Sequence, residues 1–211
     1  MTALEEKSLL ELPWTGLDFE GAGSYNGQED APVQAGFAHM SNGCLGQTYR
    51  EYLYVNRKIS PFATSIHRIT NEMIQGKPTL VEVWPMFKPW WGKTIVVAHN
   101  IATEKKFTRI FNMSGRPIWV DTLKIARAQY PKASKHSLSD MLGLVGGMEE
   151  VHQLCQYEAH DALFDAIGAV VLLKKLLNAE GWGNLNQQQA SSLSLDAYHK
   201  AKNAKRNSLR Y

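Results

Sequence analysis

The sequence predicts an α/β fold with a mixed β-sheet, and three observations support this prediction. Runs rich in β-branched and aromatic residues dominate the first quarter of the chain, whereas helical patterns alternate with short strands afterwards. Residues 95–98 (IVVA) are apolar at every position, which is typical of a central strand buried on both faces. Consecutive early strands favour antiparallel pairing, and the later strand–helix alternation favours parallel pairing.

Three strands are predicted in the N-terminal part of the chain. Residues 1–12 mix acids with leucines and indicate a short amphipathic lead-in. Residues 14–22 form the first predicted strand, which ends in glycines, and the polar residues 24–30 form a loop. Residues 33–40 and 49–55 are the second and third strands, the latter because apolar and polar positions alternate.

After the third predicted strand, the spacing of apolar residues changes to one typical of helices. Ser60 is a good helix cap and Pro61 suits a first helical turn, which predicts a helix over 61–66. Apolar residues recur at helical spacing over 162–178, with Gly181 just beyond the end. The remaining predicted elements are helices at 80–91, 101–112, 123–130 and 137–145 and strands at 95–98 and 117–122.

Composition limits the function classes. The 211 residues are 44% hydrophobic, which suits a single folded domain, and the net charge of +3 permits a nucleic-acid partner without requiring one. Two distant cysteines argue against a disulfide framework or a structural zinc site. There is no apolar run of membrane-spanning length and no signal-peptide pattern at the N-terminus. We therefore expect a cytoplasmic protein without membrane association.

A first pair of acids marks a candidate metal site. Asp18 and Glu20 (LDFEG) are two residues apart on a predicted strand, so both side chains lie on one face. Two adjacent carboxylates repel each other unless a cation lies between them, and oxygen ligands of this kind suit Mg²⁺ or Mn²⁺. An ordinary solvent-facing strand is the alternative interpretation of this pair alone.

Two further segments carry candidate groups. Glu104 (VAHNIATEKKF) follows a buried strand, with Asn100 as a candidate helix cap; alone, this Glu is explained by the helix dipole. His160 and Asp165 (YEAHDALFDAIGAV) lie at the start of the strongest helix, where histidine suits proton transfer and an acid among apolar residues needs a partner. A capping His and a surface Asp are the alternative.

Together the three segments resemble the DEDDh exonucleases, a family that includes the proofreading subunit of bacterial DNA polymerase III, ribonuclease T and oligoribonuclease. The motifs LDFEG, AHN-x₃-E-x₂-F and H-x-A-x-x-D-A occur in the family's order. Three further segments are similar to family segments: SIHRITNEMIQGKPT, VDTLKIARAQYP and KHSLSDML. The resemblance covers roughly residues 14–178, so we expect a lead-in at 1–13, an exonuclease domain at 14–183 and a polar, basic extension at 184–211.

The resemblance implies an RNase H-like fold, with a mixed five-stranded sheet flanked by helices. It also implies a 3′→5′ exonuclease that uses two divalent ions, Mg²⁺ or Mn²⁺, to release nucleoside 5′-monophosphates. Asp18, Glu20 and Asp165 would bind the first ion, Asp18 would bridge to the second, and His160 would be the general base. Single-stranded or 3′-ended DNA or RNA is the implied substrate, with a polymerase or a second copy of the chain as a further candidate partner.

Glu104 departs from the resemblance, because the family has Asp at this position. Glutamate keeps the charge but is longer by one methylene group, which alters how the carboxylate reaches the second ion. A catalytically impaired module that binds nucleic acid or a polymerase is therefore an alternative on the same fold. An RNase H-type endonuclease is a third candidate, disfavoured because the spacing of His160 and Asp165 matches the exonucleases.

Five residues are candidate substrate contacts. Small residues at Gly21 and Ala22 allow the backbone to approach a terminal nucleotide closely. By resemblance, His67 and Ile69 match family positions near the terminal sugar and base. His99 would organise the turn before the helix that carries the fourth acid.

Overall fold

The computed structural model describes residues 7–114 and 117–208, with the side chains of 112–114 excepted. A five-stranded sheet has the strand order β3-β2-β1-β4-β5. The first three strands pair antiparallel, whereas β4 pairs parallel to β1 and β5 pairs parallel to β4. The predicted mixed sheet is confirmed. Its strands are β1 (Trp14–Gly21), β2 (Pro32–Ser41), β3 (Cys44–Tyr52), β4 (Ile95–Ala98) and β5 (Ile118–Asp121).

Nine α-helices are found within the described residues. Two 3₁₀ turns, Leu9–Glu11 and Arg109–Ser114, also lie within these residues. The α-helices are α1 (Pro61–His67), α2 (Leu80–Phe87), α3 (Ala102–Thr108), α4 (Thr122–Gln129), α5 (Leu138–Leu144), α6 (Met148–Leu154), α7 (Ala162–Leu177), α8 (Gln187–Ser192) and α9 (Asp196–Ser208). None of these described helices has the length and apolar character needed to cross a lipid bilayer.

Helices cover both faces of the sheet. The largest core cluster joins one face to α4, α5, α6 and α7, while an aromatic cluster joins the other face to α2 and α3. Strand β4 contributes to both clusters, because Ile95 and Val97 lie in the first and Val96 lies in the second. The prediction that this strand is buried on both faces is confirmed.

Helix α7 rests directly on the sheet at two glycines. A Cβ atom at Gly36 would lie 2.2 Å from the backbone carbonyl carbon and oxygen of Ala162, and one at Gly16 would lie 2.2 Å from the backbone oxygen of Ala166. Gly36 pairs with Asp18 across β1 and β2. The absence of side chains at these positions therefore brings the start of α7 against the strand that carries the first two acids.

The third strand lies earlier in the chain than predicted, at Cys44–Tyr52 instead of residues 49–55. Ser41 pairs with Cys44, so the connection between the strands is the dipeptide Asn42-Gly43. Both turn residues have positive φ, 51° and 74° respectively. An Asn-Gly pair of this kind closes a two-residue hairpin, and this turn fixes the register.

The helices also differ from the predicted bounds. The helix predicted over 80–91 ends at Phe87, and the one predicted over 101–112 is α-helical only to Thr108 before it tightens into 3₁₀ geometry. Asn100 does not cap α3, because it takes a left-handed conformation with φ of 74° and Ile101 is the capping residue. Helix α6 is absent from the prediction, since it is short and buries only Val151.

The two ends of the described chain pack together. The Ser8 hydroxyl donates to the Gly183 carbonyl at 2.7 Å, and the Leu9 N–H donates to the Leu185 carbonyl at 2.9 Å. Ala190 of α8 joins the main core, whereas α9 has no buried residue. The first half of the segment from residue 184 therefore contributes to the core, whereas α9 does not.

Candidate active site

The predicted acidic residues converge at the carboxyl end of β1. Strand alternation places Asp18 and Glu20 on the same face as Gly16, which is the face covered by α7. Asp165 is in the first turn of α7. Ligand atoms of Glu20, His160 and Asp165 all lie within 4.8 Å of one another. Residues more than 140 positions apart in sequence thus form one cluster.

Burial and mutual repulsion raise the pKa values of these acids. Burial, assisted by the charges of Asp165, Glu104 and Glu20, raises the pKa of Asp18 well above its ordinary value. Burial and the charge of Asp165 raise the pKa of Glu20 to about 8. Burial likewise raises the pKa of Asp165 to about 7, against a hydrogen bond from the His160 backbone. A divalent cation would relieve this repulsion, as expected for a metal site.

Glu104 fits the same interpretation. It lies on α3, just beyond β4, and only 3% of the residue is exposed. Within the described part of the chain, its Oε2 atom is buried without a hydrogen-bond partner. Burial raises the pKa of Glu104 to about 8, and the charge of Asp121 adds to the rise. A buried carboxylate oxygen without a donor is a ligand suited to a hard cation.

His160 differs from the acids in being exposed. It precedes α7 by two residues, and its backbone is left-handed with φ of 68°. This conformation is uncommon for a residue other than glycine, although His tolerates it better than most side chains do. The imidazole is therefore at the surface, beside acids that are partly buried.

The candidate substrate contacts near β1 have structural partners. The Ile69 N–H donates to His67 Nδ1 at 3.0 Å, so Nε2 carries the proton and donates it to the Gly21 carbonyl, also at 3.0 Å. The Ala22 N–H donates to the Ala31 carbonyl at 2.8 Å, and Ala22 is fully buried. A nucleotide contact through that N–H would have to displace this bond.

His99 is engaged in a similar way. Its Nε2 donates to the His136 carbonyl at 2.7 Å, and its Nδ1 lies 2.9 Å from the Thr122 hydroxyl. Both ring nitrogens thus connect the end of β4 to neighbouring segments. This arrangement fits the predicted role of His99 in organising the turn that leads to α3.

Asp121 is an acid near the site that the sequence analysis did not single out. It ends β5, and its Oδ1 accepts the N–H groups of Asn100 and Leu123, each at 3.0 Å. The sequence signal was available, because an Asp directly after a strand and before a helix is a common cap. Asp121 holds the backbone that leads into α3 and adds negative charge near Glu104.

The raised carboxyl pKa values predict a stability that depends on pH and metal. Without metal, the folded protein holds protons on Glu20, Glu104 and Asp165 up to about pH 7–8, whereas an unfolded chain loses such protons near pH ~4. The folded state binds more protons in between, so its stability falls as pH rises. We expect Tm in EDTA to fall by ~5 °C between about pH 5 and about pH 8, and Mn²⁺ to restore most of the loss at the upper end.

Differential scanning calorimetry with and without Mn²⁺ measures this effect. Glu20→Gln should weaken both the pH dependence and the Mn²⁺ response. Glu180→Gln, which removes an exposed acid, should leave both unchanged. Equal behaviour of the two variants would show that the acidic cluster is not the source of the effect.

Most of the chain is similar to known proteins. The family model RNase T, described as an exonuclease, matches residues 15–173. A DNA polymerase III of PolC type from Streptococcus suis is 28% identical over 180 residues, which are 82% of this chain and 12% of that protein. The chain spans about 12–14% of the length of the PolC-type relatives from Streptococcus suis and Streptococcus thermophilus.

Solved structures show the same architecture. Exonuclease X in complex with 5′ overhanging duplex DNA has a TM-score of 0.66 and 24% identity, over 86% of this chain and 99% of that chain. The nuclease domain of 3′hExo, a DEDDh family member bound to rAMP, has a TM-score of 0.60 and 15% identity, over 82% of this chain and 95% of that chain. These likenesses confirm the predicted RNase H-like fold.

Proposed function

The chain belongs to the DEDDh 3′→5′ exonuclease family, and from this premise we propose that it hydrolyses the terminal phosphodiester bond at the 3′ end of a nucleic acid. The products would be a nucleoside 5′-monophosphate and a strand shortened by one residue. The observation that carries the proposal is the convergence of four carboxylates and an exposed histidine at one edge of the sheet. We take residues 14–183 as the proposed catalytic unit.

The acids have a common role in this proposal. Asp18, Glu20, Glu104 and Asp165 would hold two divalent cations, Mg²⁺ or Mn²⁺, which supply a water of lowered pKa and offset negative charge at the leaving 3′ oxygen. The raised pKa values of these carboxyl groups support this role, because a neighbouring cation would offset the burial and repulsion that disfavour the charged form of each group. The hard oxygen ligands account for the choice of ions.

His160 would take the proton from the attacking water. Its ring is exposed, and a ligand atom of it lies within 4.8 Å of those of Glu20 and Asp165. Histidine is the side chain that exchanges protons most readily near neutral pH. The left-handed backbone conformation of His160 determines the orientation of its ring relative to α7.

The substrate and partner are proposed from the proteins that this chain is similar to. Exonuclease X was solved with DNA and 3′hExo with rAMP, so both DNA and RNA ends are candidate substrates for this chain. The PolC-type relatives support association with a DNA polymerase, with a second copy of the chain as the other candidate partner. Two free cysteines are compatible with the proposed cytoplasmic location.

Digestion of a labelled strand tests the proposal. Single-stranded DNA and RNA labelled at the 5′ end, incubated with Mg²⁺ or Mn²⁺, should give a ladder of products that shorten from the 3′ end. A closed circular strand should resist digestion, since only an endonuclease cuts it. Absence of shortened products for every combination of nucleic acid and metal would contradict the proposal.

A second candidate, an impaired module that binds nucleic acid without cutting it, is favoured by Glu104. The family resemblance expects Asp at this position, and the buried Oε2 atom has no donor among the described residues. In the active enzyme, Glu104→Gln should lower kcat by about 10–100-fold, as loss of a group that supports a metal site does. Glu104→Asp should keep activity within about tenfold of the wild type, because the charge is retained.

Steady-state kinetics in Mg²⁺ and Mn²⁺ separate the two candidates. Wild-type digestion, with a large loss only in the glutamine variant, supports the active exonuclease. An inactive wild type that becomes active as Glu104→Asp identifies the impaired module instead. Binding of nucleic acid in EDTA serves as a folding control for both variants.

A further inference from the structure

The segment that carries His160 is short and lacks regular structure. It runs from Tyr157 to Asp161, between the end of α6 and the start of α7. His160 itself is exposed and has a left-handed backbone. Burial does not hold an exposed ring in place. Its position therefore depends on neighbouring residues that fix the conformation of the turn.

One end of the segment is fixed by Asp161. Its Oδ1 accepts the Leu163 N–H at 3.1 Å, which caps α7. Its Oδ2 accepts the Nε of Arg50 at 2.7 Å, and the Nη2 of Arg50 lies 2.7 Å from the same oxygen. The residue next to the proposed base is therefore tied to strand β3.

Gln34 on β2 strengthens this attachment. Its Nε2 donates to Asp161 Oδ2 at 2.9 Å, and its Oε1 accepts the Ala162 N–H at 2.9 Å. Only 1% of Gln34 is exposed. A buried amide with both groups satisfied by the first residues of α7 fixes the position of that helix end on the sheet.

The other end of the segment is fixed by Tyr157. The Arg50 guanidinium carbon lies 4.3 Å from the centre of the Tyr157 ring and 4.6 Å from the centre of the Tyr52 ring. The Nη2 of Arg50 also donates to the Tyr52 hydroxyl at 2.8 Å. The guanidinium thus contacts both aromatic rings and the Asp161 carboxylate. Arginine combines ring stacking with a directional ion pair in a way that lysine does not.

We infer that Arg50 is a positioning residue that holds both ends of the segment 157–161 and thereby sets the place of the His160 imidazole at the site. The inference deepens the proposed function and rests on it. Arg50 would touch no reacting atom and would act only through His160. Its positive charge also pairs with Asp161, which otherwise would add an uncompensated negative charge beside the four carboxylates.

A double-mutant cycle tests this inference. Arg50→Met should lower kcat on a single-stranded oligonucleotide by about 10–100-fold, with KM within about threefold of the wild type. Arg50→Lys keeps the charge but loses the planar fork, and its effect should be intermediate. In the His160→Gln background, Arg50→Met should cause no further loss, because the group through which Arg50 acts is already gone.

Hydrogen exchange gives a readout that does not depend on catalysis. Amide exchange in residues 157–161 should accelerate in Arg50→Met, while β1 and the middle of α7 keep wild-type protection. Arg206→Met, an exposed arginine on α9, is the matched control and should change neither the exchange nor kcat.

The possible outcomes are distinct. A loss from Arg50→Met that is the same factor in both backgrounds, or unchanged exchange at 157–161, overturns the inference and leaves the proposed function intact. Wild-type kcat in His160→Gln contradicts the base assignment and the inference together. Loss of protection throughout the protein in Arg50→Met would indicate a wholly structural role and would overturn the inference. Wild-type exchange together with wild-type kcat in Arg50→Lys would also overturn it.

Discussion

Replacing His160 by glutamine should lower kcat by about 10²–10⁴-fold, which is the usual contribution of a general base. Glutamine is similar in length and retains hydrogen-bonding groups, but it does not take up a proton near neutral pH. The side chain is exposed, so its replacement leaves the core intact. We therefore expect KM for nucleic acid and Tm to stay close to wild-type values.

Rate measurements across pH distinguish proton transfer from a passive role. The wild-type kcat should fall on acidification, because a protonated imidazole accepts no further proton. The residual rate of His160→Gln should lack that fall. His199→Gln, an exposed histidine on α9, is the matched control and should behave as wild type. A wild-type profile that is flat down to about pH 5 would remove His160 from the proposed role.

The sequence allowed the acids and the histidine to be identified because each lies in a short local motif. LDFEG places Asp18 and Glu20 on one strand face, and the helix that follows His160 has a clear apolar period. The parallel pairing of β4 with β1 then brings the remaining segment to the same sheet edge. Local patterns therefore single out these residues, but each pattern alone has a simpler explanation, and it is the resemblance to the DEDDh family that joins them into one predicted site.

The groups that hold the site in place could not be predicted in this way. The bond from Arg50 to Asp161 joins residues 111 positions apart, and the bond from Gln34 joins residues 127 positions apart. Arg50 alone is indistinguishable from any charged residue on an edge strand. The position of Arg50 in the sheet was not predicted either, because β3 begins earlier than expected. The register that places Arg50 opposite Gly36 depends on the Asn42-Gly43 turn. Such partners become visible only once the strands are paired.

Gly36 is a second feature that sequence patterns do not explain. A glycine within a strand weakens it in general, so its presence needs a reason in the packing. The reason is the backbone of α7, which lies where a side chain at Gly36 would stand. Asp18 is its partner on β1, so the same close approach brings the first turn of α7, which carries Asp165, against the strand of the first acid. The packing of α7 and the proposed chemistry at Asp18 therefore both depend on the missing side chain at Gly36.

Replacing Gly36 by alanine should for this reason reduce both stability and activity. The new Cβ atom would lie 2.2 Å from the carbonyl carbon and oxygen of Ala162 and 2.3 Å from the Leu163 nitrogen. These are backbone atoms of a helix end, so the whole start of α7 must move. Overpacking of this kind costs about 3 kcal/mol at the upper end of the usual range, which corresponds to a fall in Tm of about 6–12 °C.

Gly46→Ala is the matched control for this substitution. It adds the same methyl group to the same sheet, but the nearest atoms to its Cβ would be those of His39 at 3.6 Å, an ordinary contact. Thermal denaturation in EDTA measures the stability effect apart from metal binding, and kcat at a temperature where both variants are folded measures the displacement of Asp165. If Gly36→Ala matched Gly46→Ala in both measurements, α7 would not rest on the sheet as closely as the structure places it. A lower kcat for Gly36→Ala than for Gly46→Ala, measured where both variants are fully folded, would tie the position of α7 directly to the proposed chemistry at Asp18.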